Sequence, residues 1–299
     1  MSPPPTTTWF PIRAQYPIFS LPIEVPTPHR PVGKRKPPIH LAPLAPPSDI
    51  SKSAVVIFIH SLYDDAEGVE PVVRQLQAAT NQPHIAWNIP NATEGDYLTL
   101  AWFAPRRLTC TRPSRPEEEY EDEVGLMMSV GYVESLIDQI VATGVPANRI
   151  VLGGFSQGHA VALLTGLVSK YAGKLAGLFG MAGYVPLAGK IAQLRMEAGL
   201  PEKTDNNVAM FLLRGSRDTI VPQRYVTLYS KVLKDIGVKP ENSLIREYEG
   251  LGHAIRSDEI EHIGQWLEQV VPPLECIRSE GPSEQTTIDP ALLDKSAEE

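Results

Sequence analysis

The strongest constraint on the fold is a five-residue junction, Gly154-Phe155-Ser156-Gln157-Gly158, set between two apolar stretches of different period. Residues 149–153 predict a strand, and residues 157–171 predict a helix. A serine held at so tight a strand-to-helix turn takes backbone angles that crowd its neighbours. A glycine two positions to either side removes the side chains that would collide. The hydroxyl of Ser156 then stands free beyond the end of a strand, and the helix behind it aims its first backbone N–H groups at the same place.

The rest of the chain agrees with such a frame. Val55-Val56-Ile57-Phe58-Ile59 is a continuous, largely β-branched run, as expected of a strand buried on both faces. Further strands are expected at 84–89, 175–181, 208–213 and 243–248. Helices are expected at 71–79, 122–142, 223–235 and 258–270, the second with acidic residues in its first turn. This alternation predicts an α/β architecture with a mostly parallel central sheet flanked by helices on both faces. No internal repeat is visible, and one domain over residues 51–273 accounts for the pattern.

Outside those limits the composition changes. The first 50 residues hold 14 of the chain's 29 prolines, too many for regular structure throughout. Residues 1–50 therefore read as an extended, partly disordered arm, with Trp9, Phe10, Tyr16, Ile18 and Phe19 available to pin it to the domain. The patch Gly33-Lys34-Arg35-Lys36 reads as solvated linker. Residues 274–299 read as a polar, acidic tail. The prolines also interrupt any signal-peptide core, so the expected location is cytoplasmic. The net charge of −8 argues against a nucleic-acid partner. No run of about 18 consecutive apolar residues predicts a membrane span. Cys110 and Cys276 make neither a disulfide framework nor a metal set, and no metal or organic cofactor is expected.

A serine hydroxyl becomes a useful nucleophile only beside a base that a third group orients. In an α/β fold with the serine at such a G-x-S-x-G turn, the serine comes first in the chain, then the acid, then the histidine. His253 lies in Gly250-Leu251-Gly252-His253, directly after the last expected strand, where a loop can fold back over the sheet edge. His262 falls instead within a helical pattern. Asp218 follows the strand at 208–213, whereas Asp205 precedes it and Asp235 lies on a solvated helix. Ser156, His253 and Asp218 are thus the expected nucleophile, base and orienting acid. Backbone N–H groups of Gln157 and of Leu62, in the loop His60-Ser61-Leu62-Tyr63-Asp64, are the expected donors to an oxyanion. His60 is expected to brace that loop by hydrogen bonding.

With these motifs assembled, the chain resembles the acyl-protein thioesterase and carboxylesterase family, a branch of the α/β-hydrolases with a minimal cap. The resemblance covers residues 54–273. It rests on Ile59-His60-Ser61-Leu62-Tyr63-Asp64, Trp102-Phe103, Glu121-Asp122-Glu123-Val124-Gly125, the stretch from Val145-Pro146 to Gly158, the segment 215–222 holding Asp218, and Tyr248-Glu249-Gly250-Leu251-Gly252-His253. The resemblance implies Ser156, Asp218 and His253 as a triad, with Leu62 and Gln157 as oxyanion donors. It implies an acyl thioester or ester substrate, S-acylated proteins among them, with a small-molecule carboxylesterase or lysophospholipase as the alternative. A binding protein that has lost catalysis is a third reading, and the complete triad weighs against it. Leu98, Leu100, Trp102, Phe103 and Tyr184 fall in segments where the family lines its acyl channel. Ser61 and Tyr63 stand where the family usually has glycine, His159 replaces another glycine, and Tyr184 stands at a common tryptophan.

Overall fold

The computed structural model describes residues 35–94, 100–104, 121–204 and 208–274. Its centre is a seven-stranded sheet of β1 (Ile39–Leu41), β2 (Ala54–Ile59), β3 (Ile85–Ile89), β6 (Ile150–Phe155), β7 (Gly177–Met181), β8 (Ala209–Gly215) and β9 (Ser243–Tyr248). The order is β1-β3-β2-β6-β7-β8-β9, and only β1 runs antiparallel to its neighbour. A short ribbon, β4 (Thr93–Glu94) with β5 (Leu100–Ala101), lies apart from this sheet.

Both faces of the sheet are covered, which explains why β2 is apolar without alternation. Val55, Ile57 and Ile59 face one core, built with α2 (Glu123–Ala142), α3 (Gln157–Val168), α4 (Ile191–Glu197) and α5 (Arg224–Asp235). Ala54, Val56 and Phe58 face the other, closed by α1 (Ala66–Ala79) and α6 (Ser257–Val270). All of α3 is buried, because it is enclosed by the sheet, α2 and α4. By length and composition α2 alone, among the described residues, is apolar enough to cross a bilayer. Its Leu126, Val130, Val133, Leu136 and Ile137 pack into the first core.

The structure departs from the sequence reading at several boundaries. α1 starts at Ala66, ahead of Pro71, because the Asp65 carboxylate accepts the Gly68 N–H at 2.9 Å and caps the first turn. The helix tolerates Pro71 inside it. The segment assigned to the N-terminal arm contributes β1, which pairs Ile39, His40 and Leu41 with Ile89, Asn88 and Trp87. Of the patch read as solvated linker, Gly33 and Lys34 lie outside the described residues, Lys36 is exposed, and Arg35 is held against the domain. Arg35 donates to the Asn91 carbonyl and lies over the Tyr132 ring, 3.6 Å from its centroid, and Lys36 pairs with Asp65 at 3.2 Å. The arm's Trp9, Phe10, Tyr16, Ile18 and Phe19, both cysteines, Asp205 and the tail from residue 275 lie outside the described residues.

Candidate active site

Four loops that follow the C-terminal ends of parallel strands β2, β6, β8 and β9 converge above the sheet, the edge where open α/β sheets bind ligands. Ser156 sits between β6 and α3 with φ 56° and ψ −113°, a conformation that side chains rarely adopt. The flanking glycines are required by contact. A Cβ on Gly158 would lie 1.9 Å from the Ile59 carbonyl oxygen, and one on Gly154 would lie 2.5 Å from the Gly158 backbone. The turn is fastened by the Ser156 N–H, which donates to the Met181 carbonyl at 2.9 Å.

Asp218 lies in the turn after β8, its side chain only 1% exposed. Its Oδ1 accepts the N–H groups of Ile220 and Val221 at 2.8 and 2.9 Å, so the carboxylate cannot rotate freely and Oδ2 faces His253. The His253 loop is stitched to the same turn. Arg217 N–H donates to the Leu251 carbonyl at 2.8 Å, and Gly250 N–H to the Ser216 hydroxyl at 2.9 Å. His253 Nδ1 lies 2.8 Å from Asp218 Oδ2, and its Nε2 lies 3.0 Å from Ser156 Oγ. An ionised carboxylate only accepts, so Nδ1 carries the proton and Nε2 is left to accept one from the serine hydroxyl. The Phe155 ring, 5.0 Å away between centroids, backs the imidazole. Three residues distant in sequence thus form one hydrogen-bonded line.

The competing residues lie elsewhere. His262 is bonded through Nδ1 to the Tyr248 hydroxyl at 2.9 Å. Asp235 pairs with Lys231 on exposed α5 surface. His60 is fully buried, and burial pushes its imidazole down to about 4, so it stays neutral. Its Nδ1 meets the Ser61 carbonyl at 2.7 Å and its Nε2 accepts the Ala92 N–H at 3.0 Å, which makes it a brace of its own loop. In that loop Tyr63 has φ 62°, a left-handed conformation that favours glycine. Among the described residues no group of three or more His, Cys, Asp and Glu side chains is arranged to hold a metal.

Gln157 is the first residue of α3, so its backbone N–H belongs to the turn that has no intrahelical acceptor. Its side chain carries a connection that the sequence reading missed. Gln157 Oε1 accepts the Trp102 N–H and its Nε2 donates to the Phe103 carbonyl, both at 3.1 Å. The residues expected to line an acyl channel are mostly packed inside. Trp102, Phe103 and Tyr184 are buried in the first core, Leu100 is half-buried in β5, and Leu98 lies outside the described residues. His159 fills the space that Gly180 and Gly183 leave, where a Cβ would come within 2.3 and 2.5 Å of its ring. It stacks on Tyr229 at 5.6 Å with an interplanar angle of 3°, and burial pushes its imidazole down to about 3. No local sequence pattern announces Tyr229, which comes from α5.

Residues 46–271 match the family described as phospholipase/carboxylesterase. Acyl-protein thioesterase 1 of Yarrowia lipolytica is 32% identical over 232 residues, covering 75% of this chain and 94% of its own. The protein of the same name from Neurospora crassa is 30% identical, covering 77% of this chain and 92% of its own. Among solved structures, Arabidopsis thaliana SOBER1 superposes with a TM-score of 0.61 at 24% identity, over 73% of this chain and 99% of its own. Zea mays acyl-protein thioesterase 2 does so with a TM-score of 0.61 at 22% identity, over 80% and 99%. At that identity the two structures speak to the fold.

Proposed function

Because the chain belongs to the phospholipase/carboxylesterase family of α/β-hydrolases and is an ester hydrolase by that membership, we propose that it cleaves acyl thioesters or esters through an acyl-enzyme on Ser156. The observation that carries this reading is the line from Ser156 Oγ through His253 to Asp218, at 3.0 and 2.8 Å, mounted on a strained turn. Ser156 Oγ attacks the acyl carbonyl while His253 Nε2 takes its proton. The negative charge that develops on the carbonyl oxygen faces the backbone N–H groups of Gln157 and Leu62. Asp218 holds the neutral imidazole in the Nδ1–H tautomer and stabilises the imidazolium that forms. His253 then returns the proton to the departing thiolate or alkoxide. An incoming water, deprotonated by the same nitrogen, attacks the acyl carbon. The bond to Ser156 Oγ breaks, the serine oxygen takes that proton back from His253, and the acid is released.

The names of the curated relatives favour an S-acylated protein as substrate. A second reading, a small-ester carboxylesterase, is favoured by the interior packing of Trp102, Phe103 and Tyr184. Ser156→Ala and His253→Ala should each cost several orders of magnitude in kcat/KM, and the double variant little more, because such groups act as a unit. A Ser156→Ala protein that keeps about a tenth of the wild-type rate would refute the assignment. Thioesters and oxygen esters of graded length separate the two readings. Each methylene accommodated is worth about 0.8 kcal/mol, up to roughly fourfold in kcat/KM. A flat or falling series from acetyl to octanoyl favours the small-ester enzyme.

A further inference from the structure

Trp102 stands in a segment where an acyl wall is expected, yet every polar group it owns is committed inward. Its indole Nε1–H donates to the His60 carbonyl at 2.9 Å. Its backbone N–H donates to Gln157 Oε1 at 3.1 Å. Its carbonyl accepts the Ser129 hydroxyl. The ring is covered as well. His60 lies 5.0 Å from it between centroids, Tyr132 stacks on it at 6.3 Å, and the Arg35 guanidinium lies 5.6 Å from its centroid. Only 2% of the residue is exposed, which leaves little surface for a substrate.

The two residues that Trp102 holds belong to the two halves of the oxyanion site. Gln157 opens α3, and its backbone N–H is one donor. The His60 carbonyl belongs to the peptide that leads through Ser61 to Leu62, the other donor. We infer that Trp102 is a positioning residue, a cross-brace between α3 and the residue 60–62 loop that sets the separation of the two oxyanion N–H groups. The inference rests on the hydrolase reading above. It assigns to the indole N–H and to the Gln157 side chain a role in transition-state geometry and none in ground-state binding. Gln157 acts in two ways: its backbone touches the oxyanion, and its side chain acts through Trp102. Arg35 presses on the brace from outside, so the segment before β1 supports the site from a distance.

A donor that is lost outright costs about 10²–10³ in kcat. A donor that is only misplaced should cost less, about 10- to 100-fold. Trp102→Phe keeps a ring and loses the indole N–H. Gln157→Met keeps side-chain length and the backbone N–H but loses both side-chain hydrogen bonds. With enzyme concentration set by end-point titration with a fluorophosphonate, each variant should lose about 10- to 100-fold in kcat with KM within about twofold. Affinity for a boronic acid that forms a tetrahedral adduct on the serine should fall in parallel, because that adduct mimics the transition state. The double variant should lose little more than the worse single one, since both cut one bridge. If Trp102→Phe does not fold, Gln157→Met decides alone. A kcat within about threefold of wild type, or a raised KM at unchanged kcat, overturns the brace and returns Trp102 to the substrate wall or the core. Multiplicative losses in the double variant overturn it too. Ser156→Ala distinguishes the two levels: an inactive Ser156→Ala beside a fully active Trp102→Phe defeats the brace alone, whereas an active Ser156→Ala defeats the hydrolase reading and the brace with it.

Discussion

Glu259 should make the stability of this protein fall as pH rises through neutrality. It lies in the first turn of α6 and is 1% exposed. One carboxylate oxygen accepts the Arg256 N–H at 2.9 Å in a capping box, while Oε1 has no partner among the described residues. Burial pushes this carboxyl up from 4.5 to about 8. Below pH 4.5 the folded and unfolded chains both hold the proton, and Glu259 adds no pH dependence. Between 4.5 and about 8 only the folded chain keeps it. Stability then drops by about 1.4 kcal/mol per pH unit, on the order of 3–5 kcal/mol over the whole window. Glu259→Gln keeps the shape and the acceptor for Arg256 but cannot ionise. Urea unfolding of both proteins from pH 4 to 9 isolates this group, because Arg256, Asp258 and Asp218 are common to both. The variant-minus-wild-type difference should be level below pH 4.5, climb at that slope and level again above about 8. A difference that stays flat, or declines, would show that the buried carboxyl is ionised in the folded protein at neutral pH.

Three further outcomes follow from the packing. Gly158→Ala places a Cβ 1.9 Å from the Ile59 carbonyl, which cannot move without breaking β2 pairing, so the variant should lose several kcal/mol in urea and fail to label with a fluorophosphonate. His159→Gly empties a buried site beside Tyr229 and should cost about 2–4 kcal/mol by thermal unfolding, and an unchanged Tm would mean that neighbours collapse into the gap. A chain beginning at residue 35 should fold and label normally. One beginning at residue 51 loses β1 and the buried Leu41 and should be weaker by about 1.5–3 kcal/mol or more, a loss that equal urea midpoints for the two would disprove.

Much of the site is legible in the sequence because its parts are local. Ser156 is marked by two glycines within two residues, Asp218 sits in a short turn just past the apolar run 208–213, and His253 lies in a glycine-rich loop just past the expected strand 243–248. What escaped the sequence reading comes from contacts between distant segments. Asp65 capping α1 moved the helix start by five residues from the expected 71, because a side-chain hydrogen bond outweighed the proline signal. Strand β1 is three residues long in a proline-rich stretch, and only its pairing with β3 makes it a strand. Trp102 and Tyr184 read as acyl-channel residues from position along the chain, yet packing turned them inward.

By itself, the sequence determined the architecture and the three residues of the hydrogen-bonded line from Ser156 through His253 to Asp218. An uninterrupted β-branched strand demands cover on both faces, and a serine flanked by glycines demands a strained turn at a strand's end. Those are requirements of backbone geometry and burial that hold wherever the rest of the chain goes. Tertiary structure decided what surrounds that line: that Gln157 reaches Trp102, that Trp102 reaches His60, and that Arg35 closes over both Trp102 and Tyr132. Each of these joins residues tens of positions apart through one hydrogen bond or ring face. Such a contact leaves no period or motif behind, because its strength depends on where the backbone brings the two groups and not on what stands beside either one in the chain.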